Sequence, residues 1–142
     1  MNVEQILKTK GGQVVSAVPG DSLEKIAATL DQHRIGVVVI LDETQSLAGI
    51  LSERDLVRAF AKAGAKTGEL TASEFMTTKL FTCEPSDSVN QIMNVMTENR
   101  IRHLPVIHDG ELRGLISIGD VVKERIAEIE FEAEEMKRFI AG

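Results

Sequence analysis

Tryptophan and tyrosine are absent from this chain of 142 residues, and its aromatic content is five phenylalanines. Proteins that grip single-stranded nucleic acid stack bases on aromatic rings, so that mode has little to work with here. The net charge of −6 also argues against general nucleic-acid binding. The single cysteine, Cys83, excludes an internal disulfide framework. It suits a reducing compartment, and the cytoplasm is the expected location. Cys83 has no thiolate partner, and His33, His103 and His108 do not follow a zinc-ligand spacing, so no metal site is expected. A Gly-x-Ser-x-Gly elbow and a Walker-type loop are both missing, so no catalytic residue is assigned and the chain is read as a non-enzyme. No apolar run approaches the ~18 residues of a membrane span, and no charged-then-apolar leader opens the chain.

What the chain does have is an internal repeat. Residues 14–58 and 80–123 align with one single-residue gap. Val14 to Leu23 answers Leu80 to Val89, and each stretch carries a proline two residues before an aspartate. Arg34-Ile35 answers Arg100-Ile101. Both copies end in Gly-x-x-Ser-x-x-Asp, running from Gly49 to Asp55 and from Gly114 to Asp120. Two copies of a half-buried unit are expected to pack with pseudo-twofold symmetry, so any site on one copy has a counterpart on the other.

Each copy reads as β-α-β-β-α, which makes an α/β (α+β) fold. Val14–Ala17 is a short strand closed by Pro19-Gly20, and Asp21 or Ser22 caps the helix that follows. Leu23, Ile26, Ala27 and Leu30 form one face of that helix, as Val89, Ile92, Met93 and Met96 do in copy two. The β-branched run Gly36–Leu41 is a strand buried on both faces. Asp42–Gln45 turns it back into Leu47–Leu51, and Asp109-Gly110 makes the equivalent hairpin turn after Leu104–Ile107. Residues 63–71 read as a loop, and 71–76 as a short helix leading into copy two. Ile6 and Leu7 mark a similar helix leading into copy one. The first domain is placed at residues 8–66, the second at 74–131, and an extended C-terminal helix at 122–142. From Val122 that helix carries Ile126, Ile129, Ala133, Met136 and Ile140 in a heptad stripe, amid glutamates. Either it packs on its own domain or it crosses to a second subunit.

The Ser-x-x-Asp pairs are the best candidate sites. A serine at a helix N-terminus lies beside free backbone N–H groups, where phosphate oxygens bind well. A carboxylate one turn on can accept both hydroxyls of a ribose. Ser52 with Asp55, and Ser117 with Asp120, can therefore hold a sugar and its phosphate. A serine followed three residues later by an acid is equally the pattern of a capping box. The run Arg100-Ile101-Arg102-His103-Leu104-Pro105 concentrates positive charge in an acidic chain, and a guanidinium there could receive a phosphate. Arg54, between Ser52 and Asp55, is a candidate for the same role. Cys83 reads as an inert core thiol.

Together these features resemble a tandem pair of CBS domains, a Bateman module. The resemblance covers nearly the whole chain, and it extends to the stand-alone pairs of proteobacteria and plant organelles. It implies a non-catalytic sensor of an adenosyl ligand held in the cleft between repeats: AMP first, NAD(H) or ATP next. It further implies that Asp55 and Asp120 bind ribose, that Ser52 and Ser117 supply hydroxyls, and that Arg102 and His103 face phosphate. The backbone of Gly36-Val37 should grip adenine in the Asp120 pocket, and that of Lys79-Leu80 in the Asp55 pocket. One departure is that Leu104-Pro105 of copy two is Val38-Val39 in copy one, which alters the wall of the Asp120 pocket. Such modules pair into a disk, so a homodimer is expected. The alternative is a scaffold protein with vestigial pockets that docks a regulated partner, possibly a redox protein; no nucleic-acid or membrane partner is expected.

Overall fold

A computed structural model describes residues 1–141. Its elements in chain order are α1 (Val3–Lys10), β1 (Ser16–Ala17), α2 (Leu23–His33), β2 (Val37–Leu41), β3 (Leu47–Ser52), α3 (Glu53–Ala63), α4 (Ala72–Phe75), α5 (Val89–Asn99), β4 (His103–His108), β5 (Glu111–Ser117) and α6 (Ile118–Ala141). The chain divides into two compact units. One holds Gln13–Phe81 with Gly110–Leu112; the other holds Met1–Gly12, Thr82–Asp109 and the chain from Arg113 onward.

In the unit of copy one, β1, β2 and β3 form a sheet in that order, β1 parallel and β3 antiparallel to β2. Val38, Ile40 and Leu51 pack there with Leu23, Ile26 and Leu30 from the apolar face of α2. Burying each of these side chains contributes about 1.5–3 kcal/mol. In the unit of copy two, β4 pairs with β5. Leu104, Val106 and Ile116 pack with Val89, Ile92 and Met96 of α5 and with Val121 of α6. The turn at Asp109-Gly110 has φ of 51° and 76°, the two left-handed residues of a type I′ hairpin.

The opening strands are shorter than the sequence suggests. β1 keeps two residues, and its counterpart is a single parallel bridge from Cys83 to Val106. Pro19 and Pro85 follow closely and donate no hydrogen bond, which limits how far either ladder can run. The expected loop at 63–71 contains a 3₁₀ helix over Gly64–Glu69, held in part by the Thr67 hydroxyl on the Gly64 carbonyl at 2.6 Å.

Arg-Ile recurs because it stops a helix. Ser22 and Ser88 cap α2 and α5 by accepting from the N–H groups of Lys25 and Gln91, both at 3.1 Å. At the other ends Arg34 and Arg100 adopt left-handed backbone, with φ of 52° and 53°. The next N–H then reaches back inside the helix, Ile35 to the Leu30 carbonyl at 3.1 Å and Ile101 to that of Met96 at 3.0 Å. That is the Schellman closure, made here without glycine.

The helices in front of the two copies are exchanged. α1 precedes copy one, yet its first N–H groups, Val3 and Glu4, donate to the carbonyls of Asp87 and Pro85, both at 2.9 Å. α4 precedes copy two, yet those of Ala72 and Ser73 donate to Asp21 and Pro19, at 2.8 and 2.9 Å. The Pro-x-Asp turn of each copy thus satisfies the N-terminal donors of the helix that leads into the other.

Candidate functional site

Both Ser-x-x-Asp motifs form reciprocal caps. Ser52 closes β3 and caps α3: its Oγ accepts from the Asp55 N–H at 3.3 Å, and its own N–H donates to Asp55 Oδ2 at 2.9 Å. Ser117 and Asp120 repeat the pair at the start of α6, at 3.1 and 2.9 Å. The capping box is therefore present in both copies. It does not compete with a binding role, because it fixes each carboxylate beside a serine at a helix start.

The strand entry is tied to the same cap. The N–H of Glu53, first residue of α3, donates to the Gly36 carbonyl at 3.0 Å. In copy two the N–H of Ile118 donates to the Arg102 carbonyl at 2.8 Å. Gly36 and Val37 thus flank the Ser52 cap, with Val37 paired to Ser52 across the sheet, as Arg102 and His103 flank the Ser117 cap. Arg102 is exposed and His103 half-buried. Arg54 points to solvent in the first turn of α3.

Two residues that sequence reasoning missed reach the two carboxylates, and both come from exchanged segments. Thr77, just past α4, offers its hydroxyl to Asp55 Oδ1 at 3.4 Å and exchanges backbone hydrogen bonds with Ile50 at 3.0 and 2.8 Å. Lys79 and Leu80 follow two and three residues later in the chain. Lys10, the last residue of α1, places Nζ 2.7 Å from Asp120 Oδ2 and 2.9 Å from the Leu115 carbonyl. No spacing within either repeat could reveal these contacts, since they depend on which copy each leading helix docks against.

The two carboxylates differ in their surroundings. Asp55 is 4% exposed and also pairs with Arg58 at 3.1 Å. The Asp120 side chain is 22% exposed. Burial pushes its carboxyl up, but the Lys10 ammonium and the Ser117 N–H and hydroxyl outweigh that and hold it below its ordinary value. Burial, helped by Asp87, pushes the Cys83 thiol up to about 12, which leaves it protonated and inert.

The exchanged segments also explain the motif glycines. A Cβ on Gly49 would lie 2.8 Å from the Thr77 carbonyl oxygen, and one on Gly114 would lie 2.6 Å from Cδ2 of Leu7 in α1. Gly-x-x-Ser-x-x-Asp therefore combines a strand position that the other copy's leading segment crosses with the cap that holds the acid.

The CBS-domain family model matches residues 3–62 and 72–127. The chain belongs to the CBS-domain family, as a tandem pair. It is 34% identical over 148 residues to the mitochondrial CBS domain-containing protein CBSX3 of Arabidopsis thaliana, covering 99% of this chain and 72% of that one. Among solved structures it is similar to the CBS-domain protein ATU1752 of Agrobacterium tumefaciens, with a TM-score of 0.85, 43% identity, and coverage of 87% and 92% of the two chains. The CBS pair of the protein MJ0100, solved with 5′-methylthioadenosine and S-adenosyl-L-methionine, shares the fold at 24% identity and a TM-score of 0.79, with coverage of 90% and 98%. Among the described residues, no helix is long and apolar enough to cross a membrane, and no cluster of His, Cys, Asp and Glu is arranged to hold a metal ion.

Proposed function

We propose that this CBS pair is a non-catalytic sensor of an adenosyl ligand, AMP before NAD(H) or ATP, and that Asp55 and Asp120 accept the ribose hydroxyls. The observation that carries the reading is the pair of carboxylates, each fixed by a serine cap at the start of a helix. Arg102, beside the Ser117 cap, supplies charge for a phosphate, with His103 next to it. A carboxylate that accepts two sugar hydroxyls gains hydrogen bonds to a charged group, the stronger kind. No step of bond making or breaking is assigned to any of these residues. A thermal-shift screen with AMP, ADP, ATP, NAD, NADH and S-adenosylmethionine tests the reading. Ligand at 100 times its dissociation constant adds about 2.7 kcal/mol of stability. No shift with any of the six would overturn it and favour the scaffold reading.

We also propose that the protein acts as a homodimer. The heptad stripe of α6 lies open, with Ile126 and Ile129 half exposed and Met136 and Ile140 more so. Val57 and Phe60 on α3 are likewise exposed. A solvated stripe of this length on a helix rich in glutamate fits a second copy of the same helix, whose apolar seam would cover it. Light scattering at micromolar concentration should give a dimer, weakened when residues 127–142 are deleted. A monomer at that concentration would contradict the proposal.

A further inference from the structure

The two motif carboxylates are equivalent in sequence, but exchanged residues of different charge attend them. Asp55 receives the neutral hydroxyl of Thr77, and Asp120 receives the ammonium of Lys10. Asp120 Oδ2 carries two donors, Lys10 Nζ at 2.7 Å and the Ser117 N–H at 2.9 Å. Those two use up the lone pairs of that oxygen. A ribose that donates to both oxygens must displace one of them. The Ser117 N–H is fixed by the cap, so the partner that moves is Lys10, a point charge on a flexible stem. Its Nζ then has only the Leu115 carbonyl, at 2.9 Å, and no anion.

We propose that Lys10 is a ligand-reading residue of the Asp120 site: it guards the carboxylate when the site is empty and turns to the ligand's 5′-phosphate when ribose takes its place. This rests on the reading of Asp120 as a ribose acceptor. The 5′ substituent lies one sugar ring from the carboxylate, within the sweep of a lysine side chain. A phosphate there restores the partner that Lys10 loses. A neutral nucleoside leaves the ammonium unpaired, and a sulfonium at the same position repels it. The Asp120 site therefore selects 5′-phosphorylated adenosine over adenosine and over S-adenosylmethionine. At the Asp55 site the exchanged residue is the neutral Thr77, and the cation on the carboxylate is Arg58 of the same helix, 3.1 Å from Asp55 Oδ1.

The test is calorimetry of AMP and adenosine on the full-length chain, its Lys10→Met and Lys10→Arg variants, and Asp120→Ala. Methionine keeps the apolar stem and removes the charge. In Lys10→Met, AMP should bind more weakly and adenosine no more weakly, so their affinity ratio should fall by about tenfold or more. Lys10→Arg should retain most of the preference. An unchanged ratio in Lys10→Met, with Asp120→Ala still abolishing binding at one site, would overturn the role of Lys10 and leave the ribose reading standing. Unchanged binding of AMP in Asp120→Ala would overturn both.

Discussion

The same substitution at the two motif glycines should have unequal costs, because different atoms lie over them. At Gly49 the obstacle is the Thr77 carbonyl oxygen, 2.8 Å from the new methyl group, with Met76 Sδ at 3.0 Å. The carbonyl cannot turn aside, since it accepts from the Ile50 N–H at 3.0 Å and the Thr77 N–H returns a bond at 2.8 Å. Gly49→Ala must spread the pair, with an overpacking cost of about 1–3 kcal/mol. Weakening the two hydrogen bonds adds about 1 kcal/mol each when they are lost. A total of about 3–5 kcal/mol is expected when both are lost. At Gly114 the obstacle is the tip of the half-buried Leu7, which can change rotamer at about 0.5–1.5 kcal/mol. Gly36→Ala is the control, since its nearest neighbour is the flexible Glu53 carboxylate at 3.7 Å. Urea unfolding of the three variants, followed by circular dichroism, should rank Gly49 well above Gly114 and Gly114 above Gly36. Equal losses at Gly49 and Gly114 would refute the assignment of backbone against side-chain obstruction.

Three further outcomes follow from local chemistry. The Asp120 carboxyl is held below its ordinary value, so the Lys10 pair contributes above about pH 4 and its contribution is lost as pH falls through the folded pKa. Lys10 is about a third exposed, so Lys10→Met should cost at most about 1 kcal/mol at neutral pH, less in high salt, and progressively less as the pH falls below about 4; a loss that does not shrink as the pH is lowered would contradict the pairing. Arg34→Gly and Arg100→Gly relieve left-handed backbone at helix ends and should each raise stability by about 1 kcal/mol in thermal unfolding; destabilisation would show that the guanidiniums hold the fold. Cys83 should resist a thiol reagent at pH 8 in the native protein and react on unfolding; fast native labelling would contradict its burial.

The repeat, the apolar helix faces, the buried strand at Val37–Leu41 and the Asp-Gly hairpin were all legible in the sequence. Each is a local pattern, written in the spacing of apolar residues or in turn chemistry. The caps were legible too, as serines three residues before an acid. What was hidden depends on pairing across long separations. Nothing in Val3–Lys10 says that its N–H groups meet Asp87 and Pro85, so Ile6 and Leu7 read as the lead-in to copy one. Lys10 and Thr77 were overlooked for the same reason. Arg100 stood out as a candidate charge in the sequence, and the structure shows it ending α5. Shared motif residues mark equivalent positions; the exchanged segments decide how each position differs.

The ribose assignment is tested most directly by calorimetric titration of AMP into the wild-type chain, Asp55→Ala and Asp120→Ala. Each substitution removes a charged acceptor, worth on the order of 1.5–3 kcal/mol, or about tenfold to a hundredfold in affinity. The expected result is that each variant loses binding at its own site, seen as a fall in stoichiometry or affinity, while circular dichroism shows the fold retained. Affinity and stoichiometry unchanged from wild type in both variants would contradict the assignment of these carboxylates to the ribose.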